Sequence, residues 1–251
     1  MTSDQVYREL KHLARQVTRR QRPPHFYREQ APAIRCSSRV FRTHPSVRAV
    51  RAVVSGQGEA AGHGFRHARG VALDGGAIVA IECEGHDLPS EVEEPMPLVQ
   101  VAALLHDCRR DEPLHELLGA AEARRVLAQL CFTKREIACV TTAIVNHVAF
   151  QEPQCLGDPM MMLISDALYD ADKFRWGPEN FTHTLWEMLA ARGAPPERLY
   201  AGFRQQLDKI AEIKETFRSQ TGRKYGPDFI DLGLATGREI FKALEARVHL
   251  S

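Results

Sequence analysis

The sequence predicts an all-α protein, on three observations. Apolar residues recur at helical spacing through most of the chain. Prolines and cap-forming residues stand where those periodic segments begin. Few runs alternate as a half-buried strand requires. Tyr7, Leu10, Leu13 and Val17 give an opening amphipathic helix, limited by Pro23-Pro24, and residues 21–43 have no firm period and read as a long irregular connection. A helix follows from Pro45 to Val54 with proline in its first turn. The short run VRAVVS within it also suits a strand.

Gly62-His63-Gly64 punctuates the chain before a long helical run, FRHARGVALDGGAIVAIECEG, whose Gly75-Gly76 pair weakens the helix without breaking its period. EGHDLPSEVEEPMP reads as a polar loop, and Pro97 leads into the apolar, buried helix LVQVAALLHDC. A further helix is expected over Pro113–Leu130. Another lies in FTKREIACVTTAIVNH, where Thr133 and Glu136 have capping-box spacing. Gly157-Asp158-Pro159 marks a loop before MMLISDALYDADKF. Three C-terminal helices are expected at Phe181–Ala191, Glu197–Arg218 and Ile230–Val248.

The 251 residues can bury a substantial core, and 44% hydrophobic with 26% charged residues is an ordinary globular composition. Lys plus Arg number 33 against 32 Asp plus Glu, a net charge of +1, so no global field draws the chain to nucleic acid. Six cysteines lack a close C-x-x-C pair, which excludes a zinc ribbon. The charged N-terminal segment is unlike a signal peptide and no apolar stretch is long enough to span a bilayer, so the expectation is a cytoplasmic protein without a membrane partner.

The chemistry concentrates where ionisable groups interrupt apolar helices. His106-Asp107 ends AALL, where a buried carboxylate is costly without a partner. A divalent cation would neutralise it and take the imidazole as well, while a salt bridge from Asp107 to Arg109 or Arg110 explains the dipeptide equally well. His63 and His67 share one helical face, four residues apart. His115 opens LHELLGAAEARRVL, His147 ends AIVNHVAF, and Asp170 and Asp172 place two carboxylates in a mostly apolar stretch. A shared buried site explains these groups more economically than separate structural roles. Asp166 reads either as an acceptor behind a histidine or as a solvent-facing residue. Glu84, His86, Met160–Met162, Trp176 and Trp186 fit loop or packing roles.

The ordered series H-x-x-x-H, AALLHD, H-x-x-x-G-A-x-x-A, I-x-x-H and DADK, over about Pro45 to Gly177, resembles the HD-domain superfamily of metal-dependent phosphohydrolases. The resemblance implies an HD-domain-like helical bundle with additional C-terminal helices. Residues 1–43 would form an N-terminal helix and connection, 44–177 the metal-binding core, and 178–251 the helices packed on it. It implies His67, His106, Asp107 and Asp170 as metal ligands. His115 and His147 match histidines that bind a second metal or grip phosphate, and Arg110 matches a basic residue four after the doublet's histidine. Cys108-Arg109 and WGPENF depart from the usual wording.

The implied activity is hydrolysis of a nucleotide or other small phosphorylated metabolite, with Asp107, Arg110, His115 and His147 as the catalytic groups and His63 and Lys173 at the rim. Nitrogen and carboxylate ligands favour a divalent transition metal ion (Mn, Fe, Co, Ni or Zn) over Mg, with room for a second metal. A di-iron oxygenase on the same helical scaffold and a nucleotide-sensing regulatory protein are the alternatives, and a homo-oligomer is compatible with either.

Overall fold

The computed structural model describes residues 3–55, 64–84, 95–154, 157–192 and 195–248. His63, His86, Cys155 and most of the polar loop after Glu84 lie outside the described residues. Within them the protein is all-α, with twelve α-helices and no strand. In chain order these are α1 (Ser3–Arg20), α2 (His25–Glu29), α3 (Ala31–Thr43), α4 (Pro45–Val54), α5 (Phe65–Cys83), α6 (Pro95–Leu105), α7 (His115–Gln129), α8 (Lys134–Val145), α9 (Pro159–Phe174), α10 (Leu185–Arg192), α11 (Pro196–Glu212) and α12 (Gln220–Val248). A π turn (Asn180–Thr184) precedes α10, and a short 3-10 turn (Ile213–Glu215) follows α11.

Helices α5, α6, α8 and α9 pack on one another as the central bundle, with α3 against α5, α4 against α6 and α7 against α8. The inner faces are almost wholly apolar: Val71, Ala72, Ala77 and Ile78 of α5 meet Val99, Val101 and Ala102 of α6, all without solvent exposure. The run VRAVVS is helical, within α4 and the residue that ends it. Thr133 caps α8 as its spacing predicts: its hydroxyl accepts from the Glu136 N–H at 3.2 Å, and Glu136 accepts from the Thr133 N–H at 2.7 Å.

The expected irregular connection over 21–43 is instead two helices, α2 and α3. The buried line of α3 is Ala33, Ser37 and Phe41, one residue every four, and two of the three are small. Ser37 is fully buried because its hydroxyl donates to the Leu73 carbonyl at 2.7 Å, while the Gln100 amide donates to the Ser37 carbonyl at 2.9 Å. A serine that packs through hydrogen bonds leaves no apolar period to read. The same contact explains Gly76 inside α5: a Cβ there would stand 2.3 Å from the Ser37 hydroxyl oxygen.

The last helix begins at Gln220, ten residues before the expected Ile230, and continues through Pro227. Its start is built by α9. Asp170 accepts from the backbone N–H groups of Arg218 (2.9 Å) and Ser219 (2.8 Å) and from the Ser219 hydroxyl (2.6 Å). The Ser219 oxygen in turn accepts from the Gly222 N–H at 2.8 Å, as an N-cap does. A Cβ at Gly222 would fall 2.0 Å from the Asp170 carboxylate oxygen. Gly222→Ala is therefore expected to displace Asp170 from its three donors and lower stability by roughly 2–4 kcal/mol. Chemical denaturation checks this, and an unchanged midpoint would contradict it.

Candidate metal centre

Five helix ends meet at one end of the bundle. His67 is on the first turn of α5, His106 and Asp107 follow the last residue of α6, and His115 opens α7. His147 lies two residues beyond α8, and Asp172 lies in the last turn of α9. The C-terminal ends of α6, α8 and α9 carry partial negative charge, which favours a cation, whereas the α5 and α7 starts favour an anion.

The donor atoms converge. His67 Nε2 lies 3.3 Å from His106 Nε2, 3.2 Å from Asp172 Oδ1 and 3.9 Å from Asp107 Oδ2. His106 Nε2 lies 3.3 Å from Asp107 Oδ2 and 3.7 Å from Asp172 Oδ1. All four residues are buried. Ligands held at about 2.0–2.2 Å from one ion stand roughly 3.0–3.5 Å apart when adjacent around it, so His67, His106 and Asp107 could share a cation, with Asp172 beside the two histidines. The other carboxylate oxygen of Asp107 faces a second group, with His147 Nε2 at 3.4 Å and His115 Nε2 at 3.9 Å. Asp107 thus belongs to two sets of three residues, His67–His106–Asp107 and Asp107–His115–His147, each spaced to hold a metal ion.

Backbone contacts aim the imidazoles. His106 Nδ1 donates to the Ala103 carbonyl at 2.8 Å and His147 Nδ1 to the Ile144 carbonyl at 2.5 Å, so each ring turns Nε2 toward the cluster. Burial works against a proton on His106, but Asp107 and Asp172 override it and hold its pKa up at about 10. Burial likewise opposes charge on the two aspartates. His106 with His147 brings Asp107 well below the usual carboxylate range, and Lys173 with the histidines does the same for Asp172. The pocket therefore demands positive charge, supplied here by an imidazolium and available equally from a metal ion. Burial, with Arg110 beside it, lowers the His115 pKa, so its neutral Nε2 accepts from Arg110 Nη1 at 2.9 Å. Cys108 takes no part: burial pushes its thiol up to about 11, and it points to the Gly119 carbonyl.

The cluster brings together His67, His106, Asp107, Arg110, His115 and His147 as the sequence leads one to expect, and corrects the fourth ligand. Asp170 turns away to cap α12, and burial raises its carboxyl to about 6 despite the bonds it accepts. Asp172 stands in its place. Residues two apart on a helix point to nearly opposite sides, so only one of the pair can reach the histidines. Met162, Asp166 and Asp170 repeat every four residues along one line of α9, which meets the start of α12 at Asp170, whereas Asp172 lies on the side that faces the histidines.

Lys173 supports Asp172 at 2.5 Å and donates to the His147 carbonyl at 2.8 Å. A second brace, invisible in the local pattern, lies two residues on, where buried Arg175 binds Asp74, the Tyr27 hydroxyl (2.6 Å) and Glu179 (2.7 Å). This fixes the end of α9 against α5 and α2. The cluster opens into a cavity of about 800 Å3 whose far wall is α10 and α11.

The chain matches no family model, no curated protein and no solved structure. The fold and the cluster together define an all-α protein with buried His/Asp groups able to hold a metal ion. Among the described residues no helix is long and apolar enough to cross a membrane.

Proposed function

We propose that the protein is a metal-dependent phosphohydrolase of the HD-domain type, acting on a nucleotide or other small phosphate ester. The observation that carries this reading is the convergence of His67, His106, Asp107 and Asp172 at the end of a cavity that Arg110, His115, His147 and Lys173 also line. Imidazole and carboxylate donors without a thiolate favour a divalent transition metal, Mn, Fe, Co, Ni or Zn, over Mg. The Asp107–His115–His147 group would take a second ion only with the Arg110 guanidinium displaced from His115 Nε2, which it meets at 2.9 Å.

A divalent cation in this site supplies Lewis acidity toward a phosphoryl oxygen and lowers the pKa of water nearby. The side chains divide the remaining work. Asp107, held ionised by its imidazole neighbours, orients the attacking water and accepts its proton. Arg110, 35% exposed at the cavity edge, places its guanidinium against the phosphoryl oxygens, together with the α7 start. His115, which accepts from Arg110, holds that guanidinium in place, and His147, 3.4 Å from Asp107, is the imidazole available to protonate a leaving oxygen. The three helix C-termini and two carboxylates hold cations, while Arg110 and the α7 start hold the anion, so the two needs are met on different sides of Asp107.

The test is removal of metal by chelation, then reconstitution with each ion against p-nitrophenyl phosphate, nucleoside monophosphates and a diester. Monoester hydrolysis is expected only with metal restored. No phosphate release with any ion, from a protein shown to bind metal, would refute the reading. A pH dependence follows as well. Because His106 is protonated without an ion, loading displaces that proton, and metal affinity should fall up to about tenfold per unit as pH drops from about 8 to 6. Calorimetric titration with proton release measured in parallel checks the sign. Affinity that rose on acidification would contradict it.

A further inference from the structure

The cavity at the cluster is far larger than a phosphoryl group requires. Its volume of about 800 Å3 is near the top of the ~300–1,000 Å3 range that encloses drug-sized ligands. Its two ends differ in chemistry. Among the described residues the acidic side chains of the lining are Asp107 and Asp172, both at the cluster, beside Arg110 and Lys173. Away from it, Leu185 and Met188 of α10 and Leu199, Phe203, Leu207 and Ile210 of α11 face inward. The polar residues that α11 adds, Arg198, Gln206 and Lys209, are solvent-exposed and belong to the mouth.

Gly202 also lines the cavity, at the edge of α11 that carries the exposed Arg198 and Gln206, one turn to either side. Glycine is the least favourable residue after proline inside a helix, so its presence there asks for a reason. The glycines of α12 have one. A Cβ would stand 2.0 Å from Asp170 at Gly222, 2.2 Å from Phe217 at Gly226, 2.7 Å from Gly177 at Gly233 and 2.5 Å from Leu207 at Gly237. At Gly202 it would meet nothing within 4 Å. No protein atom fills the space this glycine leaves, which opens at the mouth of the cavity.

We propose that the substrate is a phosphate ester of an apolar, hydrocarbon-rich alcohol, whose body lies along α11 over Gly202 while its phosphate sits at the cluster. This rests on the phosphohydrolase reading and narrows it. A nucleoside in the same space would set most of its ribose and base donors and acceptors against aliphatic carbon, where they go unpaired at a cost. Beyond the cluster, Trp176, Asn180 and Thr184 are the uncharged hydrogen-bonding side chains of the lining that are not exposed. The substrate's shape follows from the division of the cavity: charge at one end, bulk without polarity at the other.

Calorimetric binding of alkylphosphonates of increasing length to the metal-loaded protein tests this, with adenosine monophosphate and inorganic phosphate alongside. Affinity is expected to tighten roughly two- to fourfold per methylene until the cavity is filled. Gly202→Phe should cut the ratio of long- to short-chain affinity at least tenfold, with Gly202→Leu cutting it less. Helicity of each variant is verified by circular dichroism. Affinity independent of length, adenosine monophosphate bound more tightly than the long chains, or a Gly202→Phe series matching the parent would overturn the proposal. Matching alkyl phosphates separate it from the reading beneath it. Length-dependent binding without phosphate release sinks the hydrolase and leaves the pocket assignment standing. Phosphate release without length dependence does the reverse.

Discussion

Asp107→Ala is expected to strip the protein of its metal and lower phosphate-ester hydrolysis by at least about a thousandfold, some 4 kcal/mol of transition-state stabilisation. Among the described residues Asp107 is the one common to both metal-spaced groups. One oxygen approaches the His67–His106 pair and the other the His115–His147 pair. Its loss also removes the main support for the proton on His106, so the imidazoles are left near one another without a shared anion. Helical content should change little, because Asp107 lies in the turn beyond α6. Metal analysis together with circular dichroism checks both parts. Metal retained at the parent level by a folded Asp107→Ala variant would be the contrary result.

Asp170→Asn should do nearly the opposite: destabilise strongly and leave metal binding intact in the chains that fold. The carboxylate is fully buried and accepts three hydrogen bonds from the start of α12. An amide offers one acceptor oxygen where two are used, so whichever way it turns at least one buried donor loses its acceptor and faces an NH2 group. Such a loss costs about 1–3 kcal/mol. Gly222→Ala disturbs the same contact, so the double variant should lose clearly less than the sum of the two singles. Denaturation midpoints measure the stability, and metal per folded chain measures the site. A stable Asp170→Asn protein without metal would place Asp170 among the ligands after all.

These two aspartates show how far the sequence could be read. The bundle was legible because α5, α6, α8 and α9 are apolar at helical spacing and carry their punctuation, from Pro97 to the Thr133–Glu136 box. The cluster was legible because imidazoles and carboxylates sit at the ends of those helices. Which carboxylate of DADK reaches the histidines was not, since α9 is buried all round from Ala167 to Phe174 and both aspartates lie in that stretch. Only the four-residue line from Met162 through Asp166 marks the side that carries Asp170. Helix α3 escaped notice for a related reason, its buried centre being a serine satisfied by Leu73 and Gln100. The Tyr27–Asp74–Arg175 brace joins residues 47 and 101 positions apart, a distance over which local pattern carries no information.

A crystal of the metal-loaded protein, with diffraction recorded at the absorption edge of the bound ion, tests the central claim most directly. The expected result is an anomalous peak at about 2.0–2.3 Å from Nε2 of His67 and His106 and from a carboxylate oxygen each of Asp107 and Asp172. An ion bound through Asp170, or no peak between these four side chains under saturating metal, would contradict it.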